Sequence, residues 1–371
     1  MKKSILATTL FLFFPLVISI AQITIVDIKG SEFYINGKPT YEGRYWNGIK
    51  IEGLLLNSRM VQGIFDDLNP ETRSLWKYPD TGIWDPDRNT NEFVEAMKKW
   101  RDHGLLAFTL NIQGGSPTGY GNKNWINPGF HKDGTIIKEY FNRLDRIMKR
   151  ADDLGMVVIL GIFYFGQDEQ LEDNAAVINA VNNTIEWLFE KNYRNVLIEI
   201  CNETDVDAYD HEILKPERIS ELIDMVKAKK HPVHGYRYLV STSFKGHSIP
   251  TTNVLKSADF VLIHGNGVSD PADITKMVEN TRTKDGYHDV PILFNEDDHY
   301  NFDKPVNNFI NAIKAGASWG YFDFRKRGQT LQTDDSSFAE GYQSVPVDWG
   351  VNSKRKRAFF NLLSKITGSG E

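Results

Sequence analysis

Short apolar runs and amphipathic stretches alternate along this chain. Eight runs read as strands: RMVQGIF (59–65), LLAFTLNI (105–112), MVVILGIFY (156–164), NVLIEIC (195–201), YLVSTS (238–243), DFVLIH (259–264), VPILF (290–294) and ASWGYFDF (317–324). Each is short, rich in β-branched or aromatic residues, and followed by polar positions. Between them, NEFVEAMKKWRDHG (91–104) and TIIKEYFNRLDRIMKRADDLG (135–155) space apolar residues by three and four and end at a Gly suited to a helix C-terminus. PADITKMVENTR (271–282), KPVNNFINAIKAG (304–316) and SKRKRAFFNLLSKITG (353–368) continue the alternation. Ahead of the first unit, EFYINGKP reads as a hairpin turning at Asn36-Gly37.

Strands alternating with helices, without hairpin signals between them, imply a parallel sheet. Eight such units closing on themselves make a (β/α)8 TIM barrel, α/β in class, here with an N-terminal β-hairpin. A doubly wound open sheet is the runner-up. It calls for a Gly-rich phosphate loop after an early strand, and neither GxGxxG nor GxxxxGK[ST] occurs. The segments after strands one (66–88) and eight (325–350) are long for βα connections, which suits loops that shape one end of the barrel mouth. A mouth closed at one end suits small molecules or chain ends over internal positions of a polymer.

Composition narrows the reading at three points. Lys2 and Lys3, the apolar run 5–20 and the small residues before Gln22 read as a secretory signal peptide, 1–21, leaving 22–371 as a single (β/α)8 domain. The expected location is secreted or periplasmic, without stable membrane insertion once the signal is removed. The formal net charge of −6 carries no basic excess of the kind that marks a nucleic-acid binder. The single cysteine, Cys201, excludes an internal disulfide and lies in an apolar run, where a small buried residue is its plain reading.

In a TIM barrel the chemistry sits at the C-terminal ends of the strands, so the polar residues just after each run are the candidates. They are Asp66 and Asp67, Asn111 and Gln113, Tyr164 and Gln167, Asn202 and Glu203, Ser243 and Lys245, His264, Asn295 and Glu296, and Asp323 and Arg325. Two of these ends match: IEICNE and PILFNE both close an apolar run with Asn-Glu. Glu203 and Glu296 stand 93 residues apart, about three units of a barrel with roughly 31 residues per unit. That spacing places them across the mouth on strands four and seven.

Two facing carboxylates suit glycoside hydrolysis, in which one acid must donate a proton and the other must be ionised. The chain resembles the clan A glycoside hydrolases, retaining TIM-barrel enzymes that include the family 5 cellulases. The resemblance implies Glu203 as acid/base and Glu296 as nucleophile, with Asn202, Asn295, His264, Asn111, Gln113, Tyr164, Asp66, Asp323 and Arg325 as sugar-binding candidates and no cofactor or metal. Glu199, four residues before Glu203, also fits the family's strand-four motif. Its depth in the strand calls for a buried polar partner.

The chain departs from the family in having Thr204 after the acid/base and Gly265-Asn266 after His264. Trp319 also lies early in its strand, and no Arg stands near the end of strand two, where Arg59 or Arg325 would substitute. Trp46, Trp76, Trp84, Trp125 and Trp349 are candidates for a sugar-stacking platform. Two other readings stay open: a carbohydrate-binding barrel without catalysis, and a metal-dependent hydrolase or epimerase using Asp297, Asp298 and His299.

Overall fold

The computed structural model describes residues 23–118, 124–325 and 340–370. The signal segment 1–21 lies outside the described residues. Three short antiparallel strands open the described chain: β1 (Val26–Lys29), β2 (Glu32–Ile35) and β3 (Lys38–Pro39). Asn36 and Gly37 turn the β2–β3 hairpin with φ of 52° and 78°, the left-handed conformations that an Asn-Gly pair adopts most readily. A second small hairpin joins β4 (Tyr45–Trp46) to β5 (Ile49–Lys50).

Eight parallel strands then form the barrel. They are β6 (Asn57–Ser58), β7 (Ala107–Asn111), β8 (Val157–Phe163), β9 (Val196–Cys201), β10 (Leu239–Ser241), β11 (Val261–His264), β12 (Ile292–Glu296) and β13 (Gly320–Tyr321). Ladders join β7–β8–β9–β10, β11–β12 and β13–β6. Parallel bridges join Arg59 to Thr109 and Leu293 to Ser318, linking β6 to β7 and β12 to β13. Between β10 and β11, Asp259 N–H donates to the Val240 carbonyl at 3.0 Å, and the ring is closed.

Helices follow the strands, and their ends are set by local chemistry. Helix α1 (Pro86–Asp102) begins with Pro at its first position, and the Asp85 carboxylate caps the N–H groups of Asp87 and Arg88. Asp173, Asp270, Asn307 and Ser353 cap α3 (Asn174–Lys191), α6 (Pro271–Thr283), α7 (Asn308–Lys314) and α8 (Lys354–Thr367) in the same way. Helices α2 (Lys138–Asp153), α4 (Ile219–Ala228) and α5 (Thr252–Ser257) complete the set among the described residues. No helix there is long and apolar enough to cross a membrane.

Alternate strand residues enter two hydrophobic clusters. Phe108, Leu110, Val158, Leu160, Val196 and Ile198 join the large cluster between barrel and helices. Ala107, Val157, Ile159, Leu197, Leu262 and Leu293 form a smaller cluster inside the barrel, plugged from below by Val26 and Phe33 of the N-terminal sheet. That alternation is the two-residue period of a strand.

Two expected strands differ. The first barrel strand is Asn57–Ser58, and the apolar run 60–65 lies beyond it in turns and irregular chain. The eighth is Gly320–Tyr321 rather than the whole of 317–324. In both places the chain pairs through small or polar residues, which a pattern of apolar runs passes over.

Candidate active site

Glu203 follows β9 and Glu296 ends β12, and they face each other across the barrel mouth. One carboxylate oxygen of each, together with a ring nitrogen of His264, lies in a group whose atoms are all within 4.8 Å of one another. His264 ends β11 and is fully buried. Its Nδ1 is 2.9 Å from Glu203 Oε1 and 3.6 Å from Glu296 Oε2. Arg59, 1% exposed, pairs through Nε with Glu296 Oε2 at 2.7 Å. Asn266 Nδ2 donates to Glu296 Oε1 at 2.5 Å.

Each glutamate reaches the mouth by a local break in strand geometry. Glu203 has φ of 51°, in the left-handed region that a non-glycine residue rarely occupies. Its N–H donates to Ser243 Oγ at 2.8 Å. Plain alternation would place Leu197, Glu199, Cys201 and Glu203 on one face. Cys201 instead packs in the outer cluster, with its thiol toward Thr242 Oγ1 and the Leu214 carbonyl. On β12 the register slips: Ile263 pairs with Phe294, but His264 pairs with Glu296. Asn295 is therefore the extra residue of a β-bulge, and both Asn295 and Glu296 turn inward.

Electrostatics follow from this crowding. Burial pulls the His264 imidazolium down, but the carboxylates of Glu296 and Glu203 outweigh it and hold its pKa above the ordinary value. Burial pushes Glu203 up, and its bond to His264, with Arg59 and Lys245 behind it, brings the net direction down. At Glu296 burial prevails over Arg59 and His264, Glu203 adds repulsion, and the net direction is up. The two acids interact closely enough to titrate as one system.

Glu199 is fully buried below this pair, with Asn295 Nδ2 donating to its Oε2 at 3.3 Å. Asn202 is 2% exposed, and its Oδ1 has no partner among the described residues. Tyr164 is buried with its hydroxyl 3.1 Å from Ser116 Oγ; burial and the two glutamates push its pKa up to about 12 against the pull of Ser116 and Arg59. Asn111 donates to the Gly114 carbonyl at 2.9 Å. Gln113 is engaged at both ends, accepting from Tyr164 N–H and donating to the carbonyls of Pro128 and Gln167.

Other candidates are tied into the surrounding loops. The Asp66 carboxylate pairs with Arg73 and accepts from Trp84 Nε1, and Asp67 accepts from Trp76 Nε1 at 2.7 Å. These contacts fold the loop after strand one onto itself. Asp323 is buried between Arg325 and Arg355, at 3.1 and 2.6 Å, and Arg325 lies 3.9 Å above the Tyr300 ring. Residues 326–339 of the loop after strand eight lie outside the described residues. Of the Trp candidates, Trp76, Trp84, Trp125 and Trp349 are buried. Trp76 and Trp84 pack on Phe65, and Trp349 packs on Phe93, so these faces are spent on the core.

Asp297, Asp298 and His299 do not converge. Asp297 accepts from Trp319 Nε1, Asn308 Nδ2 and His299 N–H, whereas Asp298 accepts from Gly267 N–H. Among the described residues, the group compact enough to hold a cation is Glu203, His264 and Glu296. Arg59 already sits on that group as its counter-charge. Arg59 entered the sequence reading only as a possible substitute for a missing strand-two Arg. Asn266 entered only as a departure from a family motif. The signal for each was position, just past a strand end.

No protein-family model matches the chain, and no curated protein sequence does either. Solved structures do match in fold. A family 5 glycoside hydrolase from Bacteroides vulgatus ATCC 8482 superposes with a TM-score of 0.50 at 15% identity, covering 85% of this chain and 65% of that one. A putative glycoside hydrolase from the same organism gives 0.52 at 14%, covering 89% and 60%. A family 5 mannosidase from Rhizomucor miehei gives 0.52 at 12%, covering 94% and 98%. The chain thus spans 60–65% of the length of the two Bacteroides proteins. What it shares with all three is the (β/α)8 barrel.

Proposed function

We propose that this protein is a retaining glycoside hydrolase, with Glu296 as nucleophile and Glu203 as acid/base. The observation that carries the reading is the facing pair: one oxygen from each of Glu203 and Glu296 within 4.8 Å, at the C-terminal ends of the fourth and seventh barrel strands. Retaining enzymes need carboxyl groups about 5–5.5 Å apart, and inverting ones about 6.5–9.5 Å, to leave room for a water. The 4.8 Å bound applies to one oxygen of each acid and is compatible with the nearer separation, on which the retaining proposal is built.

In the proposed reaction Glu296 attacks the anomeric carbon while Glu203 protonates the departing oxygen, giving a glycosyl-enzyme and a free alcohol. Glu203, now ionised, then takes a proton from water as that water displaces Glu296. Arg59 and Asn266 hold the two oxygens of Glu296 and fix its aim. His264 Nδ1, 2.9 Å from Glu203 Oε1, fixes the orientation of that carboxyl toward the mouth. Substrate choice follows from the mouth, and small glycosides or chain ends fit a barrel whose first long loop folds back on its own acids. Export through residues 1–21 belongs to the same proposal: N-terminal sequencing of the periplasmic and culture fractions should find a chain beginning at Gln22, and an uncleaved chain overturns it.

A second reading exchanges the two roles. The pKa directions favour it, because Glu203 is pulled toward the ionised form and Glu296 away from it. A panel of aryl glycosides, aryl mannosides included, separates the two. With an activated phenol as leaving group, Glu203→Gln should release a first burst and then stall, and azide should restore turnover with retained configuration. Azide rescue of Glu296→Gln with retained configuration, and of Glu203→Gln with inverted product, establishes the exchanged roles. Full activity in both variants rules out both readings.

A further inference from the structure

Two acids, Asp297 and Asp298, follow Glu296 directly, and the proposed reaction uses neither. They do not converge on a common point, yet both are tied to the same short turn. That turn, residues 265–268, lies just past β11 and closes with a bond from Val268 N–H to the Gly265 carbonyl at 3.0 Å. It carries Asn266, whose Nδ2 donates to Glu296 Oε1 at 2.5 Å.

The turn is fastened to the end of β12 at several points. Gly265 N–H donates to the backbone carbonyl of Glu296 at 2.8 Å. Gly267 N–H donates to Asp298 Oδ1 at 3.0 Å. From the other side Asn308, the first residue of α7, uses one amide twice: its Nδ2 donates to the Val268 carbonyl at 2.9 Å and to Asp297 Oδ1 at 3.2 Å. Asp297 is itself held by Trp319 Nε1 at 2.8 Å and by His299 N–H at 3.0 Å. A Cβ placed on Gly265 would stand 2.3 Å from Asp297 Oδ2, so only a residue without a side chain fits this approach. Asn308 and Asp297 are fully buried, whereas Gly267 is exposed and Asp298 half-buried. Water serves an exposed N–H nearly as well as a carboxylate does, so the Asp298 bond adds little to stability. What it supplies is a place for the turn.

We infer that Asp298 and Asn308 are positioning residues for Glu296: by gripping the 265–268 turn at Gly267 and Val268 they set where Asn266 stands, and Asn266 fixes one oxygen of Glu296. The inference rests on the glycoside hydrolase reading. It holds for either role of Glu296, because attack and proton delivery both require an aimed carboxyl. It also gives the two acids after Glu296 a use. Asp298 grips the turn directly, and Asp297 is the buried mount for Asn308.

The test uses the full mature chain and an aryl glycoside that the wild type turns over, with the folded fraction taken from urea unfolding curves. Asn266→Ala should lower kcat per folded protein about 100-fold with KM little changed, the cost of roughly 1 Å of misplacement. Asp298→Ala should lower kcat about tenfold, again with KM little changed, because the Asn308 grip remains. Asp298→Asn keeps an oxygen acceptor for Gly267 N–H and should return to within about twofold of wild type. Added to Asn266→Ala, Asp298→Ala should cost less than about twofold more, since a residue that acts through Asn266 then has nothing left to act on.

Wild-type kcat in Asp298→Ala overturns the inference, because the turn then needs no grip. A tenfold loss repeated in full on top of Asn266→Ala also overturns it, because Asp298 then acts by a route other than Asn266. So does a loss that Asp298→Asn shares with Asp298→Ala, because the acceptor is then not what matters. If Asp298→Ala does not fold, the same cycle with Asn308→Leu and Asn266→Ala decides by the same criterion. Glu203→Gln and Glu296→Gln run alongside. Full activity in those controls removes the reaction itself, a result distinct from any seen at Asp298.

Discussion

The lower and upper halves of the barrel interior are built from the same strands and carry opposite chemistry. Leu197, Leu262 and Leu293 pack together in the lower half, closed off by Val26 and Phe33. Two residues further along the same strands, the inward positions are Glu199, His264 and Asn295. The lower half is a core in the ordinary sense, where each side chain gains from leaving water. The upper half brings the carboxyls of Glu199 and Glu296, an imidazole and a guanidinium out of water, with Glu203 half-buried beside them, which costs several kcal/mol per buried ion before any pairing returns it. A fold under no functional demand would continue the leucines upward. The switch of residue type at one level of the barrel marks where stability ends as the dominant demand.

The largest effect that would sharpen this contrast is the removal of Glu296. Glu296→Gln should lower kcat/KM by about 10⁴-fold or more, since no covalent intermediate can form. Glu203→Gln should cost about 10²- to 10⁴-fold on substrates whose leaving group needs a proton. Initial rates on the aryl glycoside panel measure both, and a loss under about tenfold in each breaks the assignment of chemistry to the upper half.

Arg59→Met comes next. It leaves Glu296 buried without its cation, and breaking a buried pair by removing one partner costs about 3–5 kcal/mol. Activity should fall on the order of 100-fold as Glu296 loses its aim. Urea midpoints and kcat on the same preparations check both numbers. A variant as stable and as active as the wild type shows that the guanidinium holds nothing in place.

Much of the upper half was legible because strand ends are where a parallel barrel puts its reactive groups. Asn-Glu after two apolar runs, three units apart, was enough to place Glu203 and Glu296 opposite each other, and His264 fell out of the same filter. Arg59 was harder to see. It follows Asn57 and Ser58, polar residues that form the first barrel strand, and the more apolar run just after them drew the strand prediction forward. Buried polarity inverts the signal on which strand prediction depends. The bulge at Asn295 and the left-handed φ at Glu203 were also illegible, because alternation assumes unbroken strands and the sequence carries no Gly at either point to announce a break. Asp66, Gln113 and Asp323 have the right position and residue type, yet their side chains are bonded to neighbouring loops and backbone. Position after a strand selects residues near the mouth without distinguishing those that face it.

In the lower half the expected effect is on stability alone. Leu197→Ala opens a cavity among Ile159, Leu262 and Leu293 and should cost about 2–5 kcal/mol. Well below its melting temperature, kcat should stay within about twofold of wild type, because rigid strands still present Glu199 and Glu203 above the cavity. A tenfold loss of kcat in a folded variant would show that the two halves are mechanically joined and would weaken the comparison.

The smallest effect is in the pH dependence of stability, and its sign follows from the site. His264 has a folded-state pKa above its ordinary 6.5, so its contribution is fully present below pH 6.5 and fades as pH rises through the folded value. Glu296, also raised, contributes with the same sign from a lower starting point, above 4.5. Glu203, lowered from 4.5, contributes the other way: present above that value and lost as pH falls through the folded one. The wild type should therefore be most stable between these windows. Its alkaline loss from His264 has a slope of at most about 1.4 kcal/mol per pH unit. His264→Asn removes a titrating group, so the alkaline loss should become shallower. It also removes the main partner that holds Glu203 down, so the folded value moves back toward 4.5 and the acid-side loss should become smaller. Urea midpoints from pH 4 to 9 for the two proteins test both shifts. Curves that run parallel across that range mean that His264 carries no proton shared with the glutamates, and that the upper half of the barrel owes its chemistry to Arg59 and Asn266 alone.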